Sequence, residues 1–224
     1  MVLKAYAMEQ PLLTIEVISD AVCPWCWIGK RQLERAKLLL EGKLALAVRW
    51  KPFELNPGMP KEGVPRRIYR QAKFGSLEYA AKLDARVAET GRSVGLDFHH
   101  ERINWTPNSF DAHRLIWIAG QKGKQDEVVE ALFRAYFQDG RNIGETAVLI
   151  EVAQSVGIDG AKIAKLLASG TGAAEVREEL EKAHDIGVDS VPTIAIDGAP
   201  LISGAAPAEQ LAETLFQASS LQRV

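Results

Sequence analysis

The chain has 224 residues, 47% of them hydrophobic and 25% charged, the balance of one large globular domain or a domain with a sizeable insertion. Its 27 Lys and Arg against 29 Asp and Glu leave a formal charge of −2, so the overall balance favours neither nucleic acid nor an anionic membrane surface as a partner. Only two cysteines are present, which excludes a disulfide-stapled mini-fold; a chain this long buries enough core without staples.

Met1 to Leu13 is interrupted by Lys4 and Glu9 and lacks the charged start, apolar stretch and small-residue cleavage site of a secretory signal. No uncharged run approaches the roughly 18–20 apolar residues that a bilayer span requires. A soluble, cytoplasmic protein is the expectation.

Leu12 to Ile18, rich in Ile and Val and closed by Ser19-Asp20, predicts a strand. Pro24 to about Glu41 follows as a helix with Leu33, Ala36 and Leu40 on one face and Gly42 as its stop. Leu44, Leu46, Val48 and Trp50 then alternate with Ala45, Ala47 and Arg49, the period of a strand. A parallel pair joined by a right-handed helical crossover is the favoured arrangement. Beyond Pro57 the texture changes. Two helical patterns split near Gly75-Ser76. Asn108 or Ser109 caps a helix to about Gln121, and Val128, Val129, Leu132, Phe133, Tyr136 and Phe137 form a broad apolar stripe. Further helices fit 145–156, 159–168 and 173–185, so residues 58–186 read as almost entirely helical. Strand character returns at Thr193 to Ile196. Asp197-Gly198 is a turn signal, Leu201-Ile202-Ser203 pairs back as a hairpin, and Pro207 opens a last helix with Leu211 and Leu215 buried. The two strand-bearing ends are each too small to stand alone and are expected to meet in one sheet.

Cys23-Pro24-Trp25-Cys26 falls where the first strand gives way to the first helix. A thiolate at a helix start is stabilised by free backbone N–H groups and the positive end of the macrodipole, and the thiolate is the nucleophile of thiol–disulfide exchange. The i, i+3 spacing lets Cys26 resolve a mixed disulfide formed on Cys23. A structural staple is a poor alternative, because so short a loop gains least from closure. A zinc site needs further ligands such as His113, since structural zinc takes four. Two buried core thiols at this spacing and junction would be a coincidence.

These features together, with Ser190-Val191-Pro192-Thr193 before the closing hairpin, resemble the DsbA-type thioredoxin-fold oxidoreductases. Within them the chain is most similar to the FrnE-like branch, where the motif reads CPWC and a PF-x-LNP stretch follows the second strand; here that stretch is Pro52-Phe53-Glu54-Leu55-Asn56-Pro57. The resemblance implies an α/β thioredoxin fold over 1–57 and 187–224, with a helical domain, 58–186, inserted between its halves. It also implies Cys23 and Cys26 as catalytic residues. X–Pro bonds in folded proteins are mostly trans, so the residues alone favour a trans Pro192. The resemblance implies a cis bond facing the cysteines, with Val191 offering its backbone to an extended substrate peptide. Trp25, between the thiols, gives a thiolate less electrostatic help than a histidine there would.

Asn108 to Leu115 also looks like a family segment, one where the insertion faces the site. On its own it reads as a cap and an amphipathic helix with a satisfied histidine. The resemblance places Asn108 at the substrate and makes His113 a proton relay or substrate contact. His99-His100 reads as a solvated turn, and Glu178 with Lys182 as an exposed helix face. The tryptophans fit core packing or a greasy peptide groove. The leading expectation is a thiol–disulfide oxidoreductase acting on protein disulfides and thiols or small thiols. The dithiol serves in place of a cofactor, no metal is assigned, and a homodimer is an allowed assembly. A glutathione-dependent isomerase or transferase of the same superfamily is the alternative, with glutathione as co-substrate; those relatives generally replace the first cysteine with serine. A non-catalytic metal- or peptide-binding chaperone module is the third reading.

Overall fold

Residues 10–221 are described by the computed structural model; the expectation about the extreme N-terminus falls largely on Met1–Glu9, outside the described residues. Strand β1 (Leu12–Ser19) has the branched composition that suits a central strand, and it pairs on both edges. Helix α1 (Pro24–Leu39) begins with Pro24 in the first turn, where a missing N–H costs nothing. It ends just before Gly42, whose φ of 76° turns the chain towards β2 (Ala45–Pro52). β2 lies parallel to β1, with Ile15 opposite Val48 and Val17 opposite Trp50.

The middle of the chain is mostly helical. It holds β3 (Val64–Pro65), α2 (Arg66–Phe74), α3 (Leu77–Ser93), β4 (Trp105–Thr106), α4 (Phe110–Gly120) and α5 (Gln125–Phe137), then α6 (Thr146–Ser155), α7 (Gly160–Ala168) and α8 (Ala173–Asp185). The two helices split at Gly75-Ser76 as their sequence predicts. Ser76 caps α3 by accepting from the Tyr79 amide, and Asp159 caps α7 through Ala161 and Lys162. The expectation of nearly unbroken helix missed the short antiparallel ladder of β3 and β4, Val64 opposite Thr106. Two-residue strands carry no period to read. Gly63 makes the ladder possible, since any Cβ there would meet the Thr106 carbonyl at 2.6 Å.

The chain then returns to the sheet with β5 (Thr193–Ile196), antiparallel to β1, and β6 (Ala199–Ser203), before closing with α9 (Ala208–Leu221). Asp197 and Gly198 both have positive φ, 51° and 75°, which a tight two-residue hairpin needs. The order β2-β1-β5-β6 joins both ends of the sequence in one mixed sheet, the expected α/β arrangement. Helix α1 packs against α9, α5 and α3, while α5 and α8 pack on β2. One continuous apolar cluster runs from β1 and α1 through α4 and α5 into α6 and α7. At its centre Trp27 stacks on Phe133 and Phe137 and meets Phe98 edge-on at 5.2 Å. Beside it the buried Lys30 ammonium is enclosed by Glu34, Asp126 and Glu130, and Arg31 also pairs with Glu130, tying α1 to α5.

Candidate active site

The C-terminal end of β1 and the first turn of α1 set the geometry of the thiols. Cys23 is the N-cap residue with extended backbone (φ −94°, ψ 113°), and its amide bonds to the Asp20 carbonyl at 3.0 Å. The Cys26 amide returns to the Cys23 carbonyl at 3.1 Å, so the two thiols face the same free helix end. They are not joined by a disulfide in this structure. Their surroundings differ. Both are buried, Cys23 4% exposed and Cys26 not at all, but Cys23 lines an open cleft and Cys26 does not. Burial pushes the Cys26 thiol well above its ordinary value, reinforced by the hydrogen bond and charge of Cys23. The Ser19 hydroxyl and Asp20 backbone offset this only partly. At neutral pH Cys26 is therefore a protonated, shielded thiol behind a forward one.

Val191-Pro192 is cis, as the resemblance implied. The Cys23 S–H donates to the Val191 carbonyl at 3.6 Å, which fixes the loop opposite the thiols. Gly29, one turn after Cys26, permits this approach: a Cβ there would stand 2.8 Å from the Pro192 ring. The Pro192 carbonyl accepts from the Gly204 amide at 2.8 Å, anchoring the loop to the end of β6.

His113 and Asn108 occupy a different layer. His113 is 3% exposed, and its Nε2 donates to the Phe53 carbonyl at 2.9 Å and lies 3.4 Å from Asp20 Oδ1. Asp20, fully buried just before the cysteine turn, also accepts from the amides of Val22 and Leu55. This cluster ties β1, the Pro52–Pro57 stretch and α4 together beneath the site. Glu54 sits at its edge with its carboxyl raised by burial, against the pull of His113. Asn108 bridges backbone, donating to the Met59 carbonyl and accepting from the Phe110 amide, and the structure does not bring it to the cleft. Trp25 does line the cleft, while Trp27 belongs to the core.

The cleft encloses about 530 Å³. Besides Cys23, Trp25 and Val191, it is walled by Arg66, Tyr69, Arg70 and Lys73 of α2. The spacing i, i+3, i+4, i+7 of those four was the signal that sequence reasoning passed over. His100 also reaches the cleft and is half-buried against Phe98, which corrects its reading as a solvated turn; a one-turn 3-10 helix (His100–Arg102) turns it inward. Burial, reinforced by Arg66 and Arg70 and opposed by Asp84, pulls the His100 ring below its ordinary value. Among the described residues no group of three or more His, Cys, Asp or Glu is placed to hold a metal ion.

A mixed sheet of this order, two thiols at the first helix start and a cis-proline loop against them define a thioredoxin fold. The DSBA-like thioredoxin domain family matches the chain over residues 14–216, and the chain belongs to that family. The uncharacterised protein YwbO of Bacillus subtilis is 30% identical over 193 residues, 86% of this chain and 90% of its own length. A probable DsbA oxidoreductase from Streptomyces coelicolor superposes with a TM-score of 0.83 at 31% identity, covering 92% of this chain and 89% of that one. The cytosolic disulfide reductase DsbM from Pseudomonas aeruginosa, solved with GSH, shares the fold (TM-score 0.66, 21% identity, 94% and 100% covered). Among the described residues no helix is long and apolar enough to cross a membrane.

Proposed function

We propose that the protein is a thiol–disulfide oxidoreductase in which Cys23 is the nucleophile and Cys26 the resolving thiol. The observation that carries this reading is their asymmetry on one helix start, Cys23 at the cleft and Cys26 sealed behind it. In the reducing direction the Cys23 thiolate attacks one substrate sulfur, forming a mixed disulfide and releasing the other sulfur as a thiol. Cys26 gives up its proton and attacks the Cys23 sulfur, so the protein becomes the internal disulfide and the second thiol leaves. Two electrons pass from dithiol to substrate; the oxidising direction is the reverse. The exchange needs no further cofactor. Val191 presents its carbonyl beside the reacting sulfur, where an extended substrate backbone would lie, and Trp25 lends an apolar wall.

Protein disulfides and low-molecular-mass thiols are both substrates in this reading, with glutathione a candidate co-substrate because DsbM was solved with it. The cytosolic setting of that relative supports a cytoplasmic assignment here. The test is a Cys26→Ala trap. A mixed disulfide should accumulate on Cys23, and Cys23→Ser should abolish both capture and insulin reduction. If Cys23→Ser retains turnover, the reading fails. Isomerase chemistry that survives Cys26→Ser, without disulfide exchange, would instead place the chain with the glutathione-dependent isomerases.

A further inference from the structure

Although the chain as a whole is slightly acidic, the cleft at Cys23 is not. Arg66, Arg70, Lys73 and Arg86 line it against the carboxylates of Asp84 and Asp189. Asp84 is shared, receiving Arg66 at 3.0 Å and Arg70 at 2.6 Å, so one carboxylate serves two guanidinium groups. Among the described residues the partners of Lys73 are neutral, the Tyr69 hydroxyl at 2.6 Å and Asn56 Oδ1 at 3.3 Å. Arg86 makes no ion pair among the described residues. Core packing does not explain this stripe, since α2 contributes no buried residue.

The second observation concerns unmet hydrogen-bonding capacity on the same wall. The Arg70 side chain is 13% exposed, donates to the Ala80 carbonyl and Asp84, and lies over the Phe74 ring at 4.4 Å. Its Nε is nevertheless buried without a partner. Arg70 lines the Cys23 cleft. A guanidinium has five N–H groups to satisfy, and Lys73 and Arg86 stand on the same wall, so an incoming anion gains both charge and hydrogen bonds here.

We infer that the α2–α3 wall is a specificity subsite for anionic groups flanking the sulfurs of a low-molecular-mass disulfide or thiol, with Arg70 and Lys73 its principal determinants. The inference rests on the oxidoreductase reading and adds a charge rule to it. The cleft volume lies in the range of small-molecule sites. The flanking carboxylates or phosphates of such a ligand reach the wall while its sulfur meets Cys23. The chemistry is the exchange already written: substrate disulfide plus protein dithiol gives protein disulfide plus two thiols.

The test is single-turnover oxidation of the reduced protein by three disulfides: oxidised glutathione (anionic), bis(2-hydroxyethyl) disulfide (neutral) and cystamine (cationic). Each rate is normalised to that of dithiothreitol with the same disulfide. The normalised rate should fall in that order, with an anionic-to-cationic ratio of roughly tenfold or more that shrinks as salt rises. Lys73→Gln should lower the ratio about threefold and Arg70→Gln with Lys73→Gln about tenfold, whereas Lys122→Gln, a remote exposed cation, should leave it unchanged. Lys73 is exposed, so its variant carries the test even if the Arg70 substitution disturbs folding. A ratio near one, or a ratio untouched by Lys73→Gln, overturns the charge rule. Preference for a disulfide-linked acidic peptide over oxidised glutathione overturns the small-molecule assignment. If no disulfide oxidises Cys23, the oxidoreductase reading itself falls.

Discussion

Helices α2 and α5 both come from the long excursion between β2 and β5, yet they are opposites. α5 buries Val128, Val129, Leu132, Phe133, Ala135, Tyr136 and Phe137 and is bolted to α1 by the carboxylates around Lys30; α2 adds no residue to the core and turns Arg66, Arg70 and Lys73 to the cleft. The inserted helices are therefore not one functional unit. Those against the sheet hold the thiol helix in place, and those at the cleft face Cys23. Stability and selectivity should accordingly separate under substitution.

The sharpest challenge to that division is Lys30→Ala, which removes a 4%-exposed ammonium shared by Glu34, Asp126 and Glu130 and leaves Arg31 as the remaining cation beside Glu34 and Glu130. Burial alone would lower this ammonium, but Glu34, Asp126 and Glu130 outweigh it and hold it raised. The expected loss is about 2–3 kcal/mol in urea unfolding, since the buried stem and its charge contacts go while the carboxylates left behind stay partly solvated. A loss under about 1 kcal/mol would mean that α5 does not carry α1. Gly29→Ala comes next. Its methyl group meets the Pro192 ring, so about 1–3 kcal/mol should be lost as the helix and the proline loop are forced apart. Thermal unfolding of that variant measures it.

A pH series gives the third effect. Because burial, then Cys23, raise the folded Cys26 thiol above its unfolded value, the folded state holds its proton where the unfolded chain releases it. This contribution is complete below about pH 8.5 and is lost as pH rises towards the folded value, at up to about 1.4 kcal/mol per unit. Reduced protein unfolded in urea at pH 7 and pH 10 should show the decline, and Cys26→Ala should flatten it. The smallest effect is expected on the other side of the division. Lys73→Gln should change stability by no more than about 0.5 kcal/mol. A larger loss there would make α2 structural and blur the contrast.

Much of the frame was legible in the sequence because its signals are local. Alternation marked β2, a branched run marked β1, Asp197-Gly198 marked the hairpin, and the CPWC motif announced itself at a strand-to-helix junction. The cis bond at Pro192 came from resemblance; its residues pointed the other way. What escaped depends on tertiary contact. Gly29 looks like any helical glycine until Pro192 arrives from the far end of the chain. Arg66, Arg70 and Lys73 look like an ordinary solvated stripe, because a helix face does not declare what it looks onto. His100 reads as surface, and its turn of helix and its packing on Phe98 and Phe137 bring it inward. Asn108 is a polar residue at a promising place whose amide group bonds the Met59 carbonyl and the Phe110 amide.

The sulfur and the carbonyl that meet across the site, Cys23 and Val191, are 168 positions apart. At a synthesis rate of about 5–20 residues per second, the cysteines leave the ribosome roughly ten to thirty seconds before the loop that faces them exists. The nascent thiols pass that interval on a helix whose neighbouring sheet edge is still missing. Strand β5 fills that edge and brings Val191 to Cys23, so the site is complete only after the 168 positions that separate the two have been made.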